Sequence, residues 1–277
     1  MIHDRTLIER IEASIQALLE SYVDAQREQY PGTSAECVGS GATFALVDGA
    51  GLESQISGFG DSASPDASRL DGLITWMRDR LAAAPLAGQP TIRCVLGPLA
   101  AASHAQRLTD RGASYGGVSN LLTLDLAGYS PTKPDPRISL GAGEERFVPG
   151  ETIVRAVSGG DADPRGLMVA NSYSAIPWMD HFLVRVDGEP AGGGALAIRD
   201  GLAFLTGTAV LPAFRGQHLQ TALIQHRLSV AKAAGCKVAF VTCDVASLSQ
   251  RNLERSGFRA AYPRISLKLP VADSGRP

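Results

Sequence analysis

The run Lys237-Val-Ala-Phe-Val-Thr-Cys243 is apolar at consecutive positions rather than alternating ones, so a strand made from it must be buried on both faces. Such a strand belongs inside a sheet with helices packed on both sides. The flanking segments supply those helices: Arg215 to Ala234 reads as a long helix before it and Leu248 to Ser256 as a shorter one after it. With strands at Leu202 to Val210 and around Tyr262 to Leu269, the pattern predicts an α/β fold with a mixed sheet.

The rest of the chain extends this pattern. Leu7, Ile8, Ile11, Ile15, Leu18, Leu19 and Tyr22 recur at three- and four-residue spacing and place an apolar stripe on an opening helix. Ala42 to Val47 and Leu52 to Phe59 read as two strands of a hairpin turning at Asp48-Gly49. A helix over Asp66 to Ala84, a strand over Thr91 to Leu96, a helix opened by Pro98 and closed by Gly112, and a strand over Ser114 to Leu126 follow. Pro131-Thr-Lys-Pro-Asp-Pro136 holds three prolines in six residues, a composition suited to a linker. Beyond it a strand is expected near Phe147 to Val157 and a helix over Asp163 to Tyr173. Strands at Phe182 to Val186 and Ala191 to Ile198 come next, with hairpin turns at Asp187-Gly188 and Asp200-Gly201. The expected organisation is a domain over 1–130, a linker over 131–143, a second domain over 144–270 and a frayed tail over 271–277. Both halves share the same rough order of elements, as a degenerate duplication would.

Composition narrows the classes of partner. The 277 residues carry a formal net charge of -2 with the signs interspersed, so no basic footprint for nucleic acid or an anionic membrane is present. No apolar run approaches a bilayer span, and Asp4 and Glu9 interrupt the segment where a secretory leader would need an uncharged core. Cys37, Cys94, Cys236 and Cys243 lack disulfide or metal-ligand spacing, which points to a reducing cytoplasm and to no metal. Small molecules are the expected partners.

The segment with the most chemistry is Thr208-Ala-Val-Leu-Pro-Ala-Phe-Arg-Gly-Gln-His-Leu-Gln-Thr-Ala-Leu223: a strand, a proline break, an Arg-Gly turn and a helix start. That order aims backbone N–H groups and a helix dipole at one point, which suits a pyrophosphate. Arg215 adds a planar charged fork, and Gly216 lets backbone and phosphate approach closely. The stretch resembles the acyl-CoA-binding motif of the GNAT superfamily of N-acyltransferases. Ser247 to Arg259, with its Gly257-Phe258 pair, resembles the next helix of that superfamily, and the resemblance covers roughly the last 130 residues.

The resemblance implies acetyl-CoA or another acyl-CoA as co-substrate, held by Thr208, Ala209, Val210, Arg215, Gly216, Gln217, His218, Leu219, Gln220 and Thr221. It also implies an oxyanion contact from the backbone N–H of Val210. The motif's two glycines correspond here to His218 and Gln220, and a helix start with negative φ is expected to keep their N–H groups available. His218 either helps neutralise the pyrophosphate or points into solvent. Many relatives have a tyrosine acid where this chain has Leu253, so no general acid stands there. Asn252 is either a pantetheine contact or a surface residue. Asp244 and His181 are candidate bases with structural roles as the alternative. His226 is expected at the edge of the core, and Cys236 and Cys243 as small buried apolar residues.

The N-terminal half has no such loop, since Gly58 to Ser68 contains two acidic groups and no arginine before its helix. It is expected to be a degenerate GNAT-like domain in a tandem arrangement. The expected activity is transfer of an acetyl or other small acyl group from acyl-CoA to an amine of a small molecule, and the alternative is a non-catalytic acyl-CoA-binding or regulatory module. The oligomeric state is not specified by these features.

Overall fold

The computed structural model describes residues 4–31, 35–40, 43–58, 67–83, 91–100 and 102–271. Along the chain these form α1 (Arg5–Gln29), β1 (Glu36–Ser40), β2 (Thr43–Val47), β3 (Gln55–Ser57), α2 (Ala67–Ala83), β4 (Thr91–Leu96), α3 (Ala102–Asp110) and β5 (Ser114–Asp125). There follow β6 (Ile138–Leu140), α4 (Val148–Ser158), α5 (Pro164–Ser174), β7 (Met179–Val186), β8 (Glu189–Arg199), β9 (Leu202–Val210), α6 (Leu219–Ala233), β10 (Val238–Asp244), α7 (Leu248–Arg255) and β11 (Arg259–Pro270). The fold class is mixed α/β, as the sequence predicts.

Two compact units divide the chain: one comprises residues 121–261, the other residues 2–120 together with 262–277. Residues from Tyr262 onward, expected with the second domain, thus lie in the unit that holds the N-terminal elements. The proline-rich stretch expected as a linker lies within the first of these units, and residues 138–140 of the expected linker form β6, paired antiparallel with β7. The expected frayed tail beyond Val271, and residues 59–66 of the acidic segment, lie outside the described residues.

In the unit holding the N-terminal elements the strand order is β1-β2-β3-β4-β11-β5. Leu70, Leu73, Ile74, Met77 and Leu81 of α2 bury against Ala45, Val47, Ile56, Ile92 and Cys94 of the strands. β1 is an additional strand that the sequence reading missed; it pairs antiparallel with β2. β2 and β3 are antiparallel, but Asp48-Gly49 is not the two-residue turn expected. A longer connection runs to Ser54, organised around the fully buried Asp48. Its carboxylate accepts from Tyr22 Oη at 2.7 Å, Gln26 Nε2 at 2.8 Å and the backbone N–H groups of Ala50, Leu52 and Glu53. A buried carboxylate is tolerated only with such a full complement of donors.

In the unit of residues 121–261 the order is β5-β10-β9-β8-β7-β6, with β9 and β10 parallel and β6 to β9 successively antiparallel. Asp187-Gly188 and Asp200-Gly201 are the expected tight turns, with φ of 51° and 85° and of 50° and 73°. Ala239, Phe240 and Val241 of β10 are buried consecutively, as the opening argument requires. One expectation fails here: residues 147–157 are not a strand, because a 3₁₀ turn over Gly143–Phe147 leads into the helix α4. The β-branched run Thr152-Ile-Val suggests a strand locally. Pro149 in the first turn and Gly159 beyond the last, at φ 82°, are the helix signals that prevail. Packing reinforces them: a Cβ on Gly193 of β8 would lie 2.7 Å from the Pro149 carbonyl, so α4 rests directly on the sheet. No helix among the described residues is long and apolar enough to cross a membrane.

Asp48→Ala is expected to destabilise the protein by about 3 kcal/mol or more, because three backbone donors and two side chains lose one buried acceptor. Tyr22→Phe should cost only about 1 kcal/mol, one donor being lost from a carboxylate that keeps the others. Denaturant titration of both variants measures the difference.

Candidate functional site

β9 and β10 share a parallel register only over Leu202–Phe204 and Val238–Phe240. Beyond those rows β9 continues to Val210 and β10 to Asp244 with no register between them. The other edge of β9 stays in ladder with β8, where Gly192 faces Val210 and Gly193 faces Ala209. Leu211 N–H donates to the Ala191 carbonyl at 2.8 Å. Since alternate residues of an antiparallel strand turn their polar groups to opposite sides, the Val210 N–H points away from β8, into the gap beside β10. Val210 is the residue at which the sequence resemblance implies an oxyanion contact.

The register of β9 shifts just before this point. Ala195 faces Thr206 and Gly193 faces Ala209, so Gly207 and Thr208 together oppose Gly194, a β-bulge with Gly207 at φ 54°. After β9 the chain makes a short 3₁₀ turn over Pro212–Phe214, passes Arg215 and Gly216, and enters α6. The long helix therefore begins at Leu219, four residues later than the sequence suggests, and residues 215–218 form the turn before it. His218 corrects a second expectation: its φ is 58°, in the left-handed region, not the negative φ expected of a helix start. The turn uses left-handed geometry at Gly216, with φ 80°, and again at His218. Histidine adopts that region more readily than most side chains do. His218 gives α6 no side-chain cap, so the helix's first N–H groups remain available to an anion.

Other expected site residues gather around this helix start. Gln220 Oε1 accepts from Asn252 Nδ2 at 2.7 Å, joining the first turn of α6 to α7. Arg215 is exposed, and its guanidinium leans on the Val210 carbonyl at 3.3 Å and the Ala156 carbonyl of α4 at 3.5 Å. Gln217 is exposed, and Thr221 and Ala209 are half-buried. Leu253 is 3% exposed and belongs to the core beneath the site. Asp244 is exposed at the carboxyl end of β10, and the parallel register, if continued, sets it level with Thr208. Burial, followed by the charges of Asp244 and Glu254, pushes the neighbouring Cys243 thiol up to about 11.

His181 stands apart from this group. It faces Ala195 on β7, whereas the Val210 row meets β8 at Gly192, about 10 Å further along the strands. Burial, with a smaller contribution from Arg146, pulls its pKa down to about 4 against a backbone hydrogen bond at Met179. His226 is half-buried, edge-on to Phe182 at 5.0 Å between ring centroids, as expected of a core-edge residue. Cys236 and Cys243 are buried thiols, also as expected.

Arg227 escaped the sequence reading although it is 1% exposed and bonded to the bulge of β9. The available signal was a charge four residues after Leu223 and next to Leu228, on the buried face of α6.

Residues 161–258 match the model of the Acetyltransferase (GNAT) family. The fold resembles a GCN5-related N-acetyltransferase from Kribbella flavida at TM-score 0.62 and 18% identity, over 97% of this chain and 96% of that one. A GCN5-related N-acetyltransferase from Sphaerobacter thermophilus gives TM-score 0.62 and 14% identity over 83% of this chain and 77% of that chain. A tandem GNAT protein from the clavulanic acid biosynthesis pathway gives TM-score 0.62 and 13% identity over 94% and 97% of the respective chains. The fold is therefore that of tandem GNAT proteins. No curated protein compared with the chain matches it.

His218→Gly is expected to raise stability by about 0.5–1 kcal/mol, since the left-handed strain relieved exceeds the backbone entropy added to the unfolded chain. The shift in denaturant midpoint measures it. His181 adds a pH dependence with a definite sign. Its folded pKa lies below the unfolded value, so the unfolded chain takes up the proton first as pH falls. Stability should therefore decline from about pH 6.5 to about pH 4 and level off below that, and His181→Leu should flatten this part of the profile.

Proposed function

We propose that the site at Val210 and the start of α6 binds an acyl-CoA and transfers its acetyl or other small acyl group to an amine of a small molecule. The observation that carries this reading is the presence of three donors at the end of β9 and the start of α6. These are the Val210 N–H, the uncapped first turn of α6 and the exposed Arg215 fork. The helix start and Arg215 suit the pyrophosphate, and the N–H groups of β9 suit the extended pantetheine arm and the thioester oxygen.

In the reaction the neutral amine attacks the thioester carbonyl carbon, a C–N bond forms, and the oxygen takes up negative charge facing the Val210 N–H. Collapse breaks the C–S bond and releases CoA. Leu253 offers no proton to the departing sulfur, but a thiol of pKa about 8.5 leaves as thiolate near neutral pH and is protonated from solvent. Asp244, exposed at the carboxyl end of β10, is the carboxylate proposed to take the amine proton. Catalysis of this kind relies mainly on positioning and fixed backbone donors. A net charge of -2 and four free cysteines support a small-molecule partner and a cytoplasmic setting.

The burial of Leu253 where relatives carry an acid also favours a second reading, a non-catalytic acyl-CoA-binding or regulatory module. Release of CoA thiol over a panel of amines separates the two: turnover on any amine supports the transferase, and binding without turnover supports the module.

Acetyl-CoA and free CoA should both raise the melting temperature, with a stabilisation of about 2.7 kcal/mol at 100 times the dissociation constant. A folded protein unmoved by millimolar acetyl-CoA would refute both readings. Arg215→Ala should weaken CoA binding by about 1.5–3 kcal/mol in calorimetric titration, with folding changed by less than about 0.5 kcal/mol.

A further inference from the structure

Arg227 lies on α6 with its side chain fully enclosed, and its guanidinium is spent on the neighbouring strands. Nε donates to the Leu223 carbonyl at 3.0 Å, Nη1 to the Ala195 and Thr206 carbonyls at 2.8 and 3.1 Å, and Nη2 to Thr208 Oγ1 at 2.6 Å. No ion pair to it is present among the described residues. Burial lowers its pKa to about 9, which still leaves it charged at neutral pH. A buried cation without a counter-ion is a costly way to fill a core, and a methionine would pack there at less expense. The position calls for a reason other than stability.

The acceptors supply that reason. Ala195 and Thr206 are the last regular pair before the bulge of β9, and Thr208 is the bulge's second residue. A Cβ on Gly194, opposite the bulge, would lie 2.9 Å from the guanidinium carbon, so a side chain there would displace Arg227. Bulge, glycine and arginine form one device. Its consequence follows from strand parity: the extra residue in β9 decides whether Ala209 or Val210 turns its N–H toward the gap. Without the bulge the register slips by one, and the Val210 N–H turns into the ladder with β8.

We propose that Arg227 is a positioning residue for acyl transfer, holding the β9 bulge so that the Val210 N–H faces the thioester carbonyl. The inference rests on the acyl-CoA reading above and names a residue that acts on the reaction only through β9.

The test uses the full chain and acetyl-CoA labelled with ¹³C at the thioester carbonyl, observed by infrared difference spectroscopy. In the native protein the carbonyl band should lie below its position in free acetyl-CoA, as a hydrogen bond to the oxygen requires. In Arg227→Met most of that displacement should disappear, while the dissociation constant for free CoA, held chiefly at the α6 start, changes by no more than about threefold. A purely structural role would weaken CoA binding and leave the band of whatever remains bound unmoved. Thr208→Val, which removes one contact and preserves shape, should move the band part of the way and decides the matter if Arg227→Met does not fold. A band as low in the folded variants as in the native protein overturns the proposal, and so does a native band at the free position. A native protein that binds no CoA at all would instead refute the acyl-CoA reading itself.

Discussion

The short parallel contact between β9 and β10 is the constraint on which the site depends. Phe204 and Phe240 stack at 4.6 Å between centroids and 10° between planes, in the last row the two strands share. Below that row the strands are locked by consecutive buried residues; above it each runs on without the other. Two strands that diverge leave backbone N–H and C=O groups unpaired inside a protein, which is tolerated only where water or a ligand satisfies them. The gap is thus a structural opening and a hydrogen-bonding template at the same point.

What surrounds the gap fixes its direction. On one face α4 rests on Gly193, and on the other α6 inserts Arg227 against Gly194, so successive glycines of β8 admit a helix from each side. The bulge in β9 lies between them, and the turn over residues 215–218 delivers the start of α6 to the open end. That turn takes left-handed backbone at two residues, Gly216 and His218, the second without a glycine's conformational freedom. Arg215 closes the group by reaching from the turn to the carbonyls of Val210 and Ala156.

Much of this was legible in the sequence, and particular residues show why. The Asp-Gly turns at 187–188 and 200–201 carry their backbone geometry in their composition, and the buried run at 237–243 can only be an inner strand. The run at 147–157 misled because β-branched residues favour a strand locally, while the contact with Gly193 that selects a helix comes from residues about forty positions away. Asp48 misled in the same way: Asp-Gly suggests a tight turn, but Tyr22 and Gln26 of α1 convert the carboxylate into the centre of a longer loop.

The sequence by itself determined the class of fold, the strand that must be buried and the Asp-Gly turns, because each follows from local chemistry and spacing. The tertiary structure alone decided that Val210 rather than Ala209 faces the gap, that Gln220 and Asn252 meet, and that His181 stays clear of the site. It also decided that the charge of Arg227 is buried under the bulge rather than solvated. Strand register, bulges and helix docking are set by contacts between residues far apart in the chain, and a one-residue change in register reverses which backbone groups face the gap.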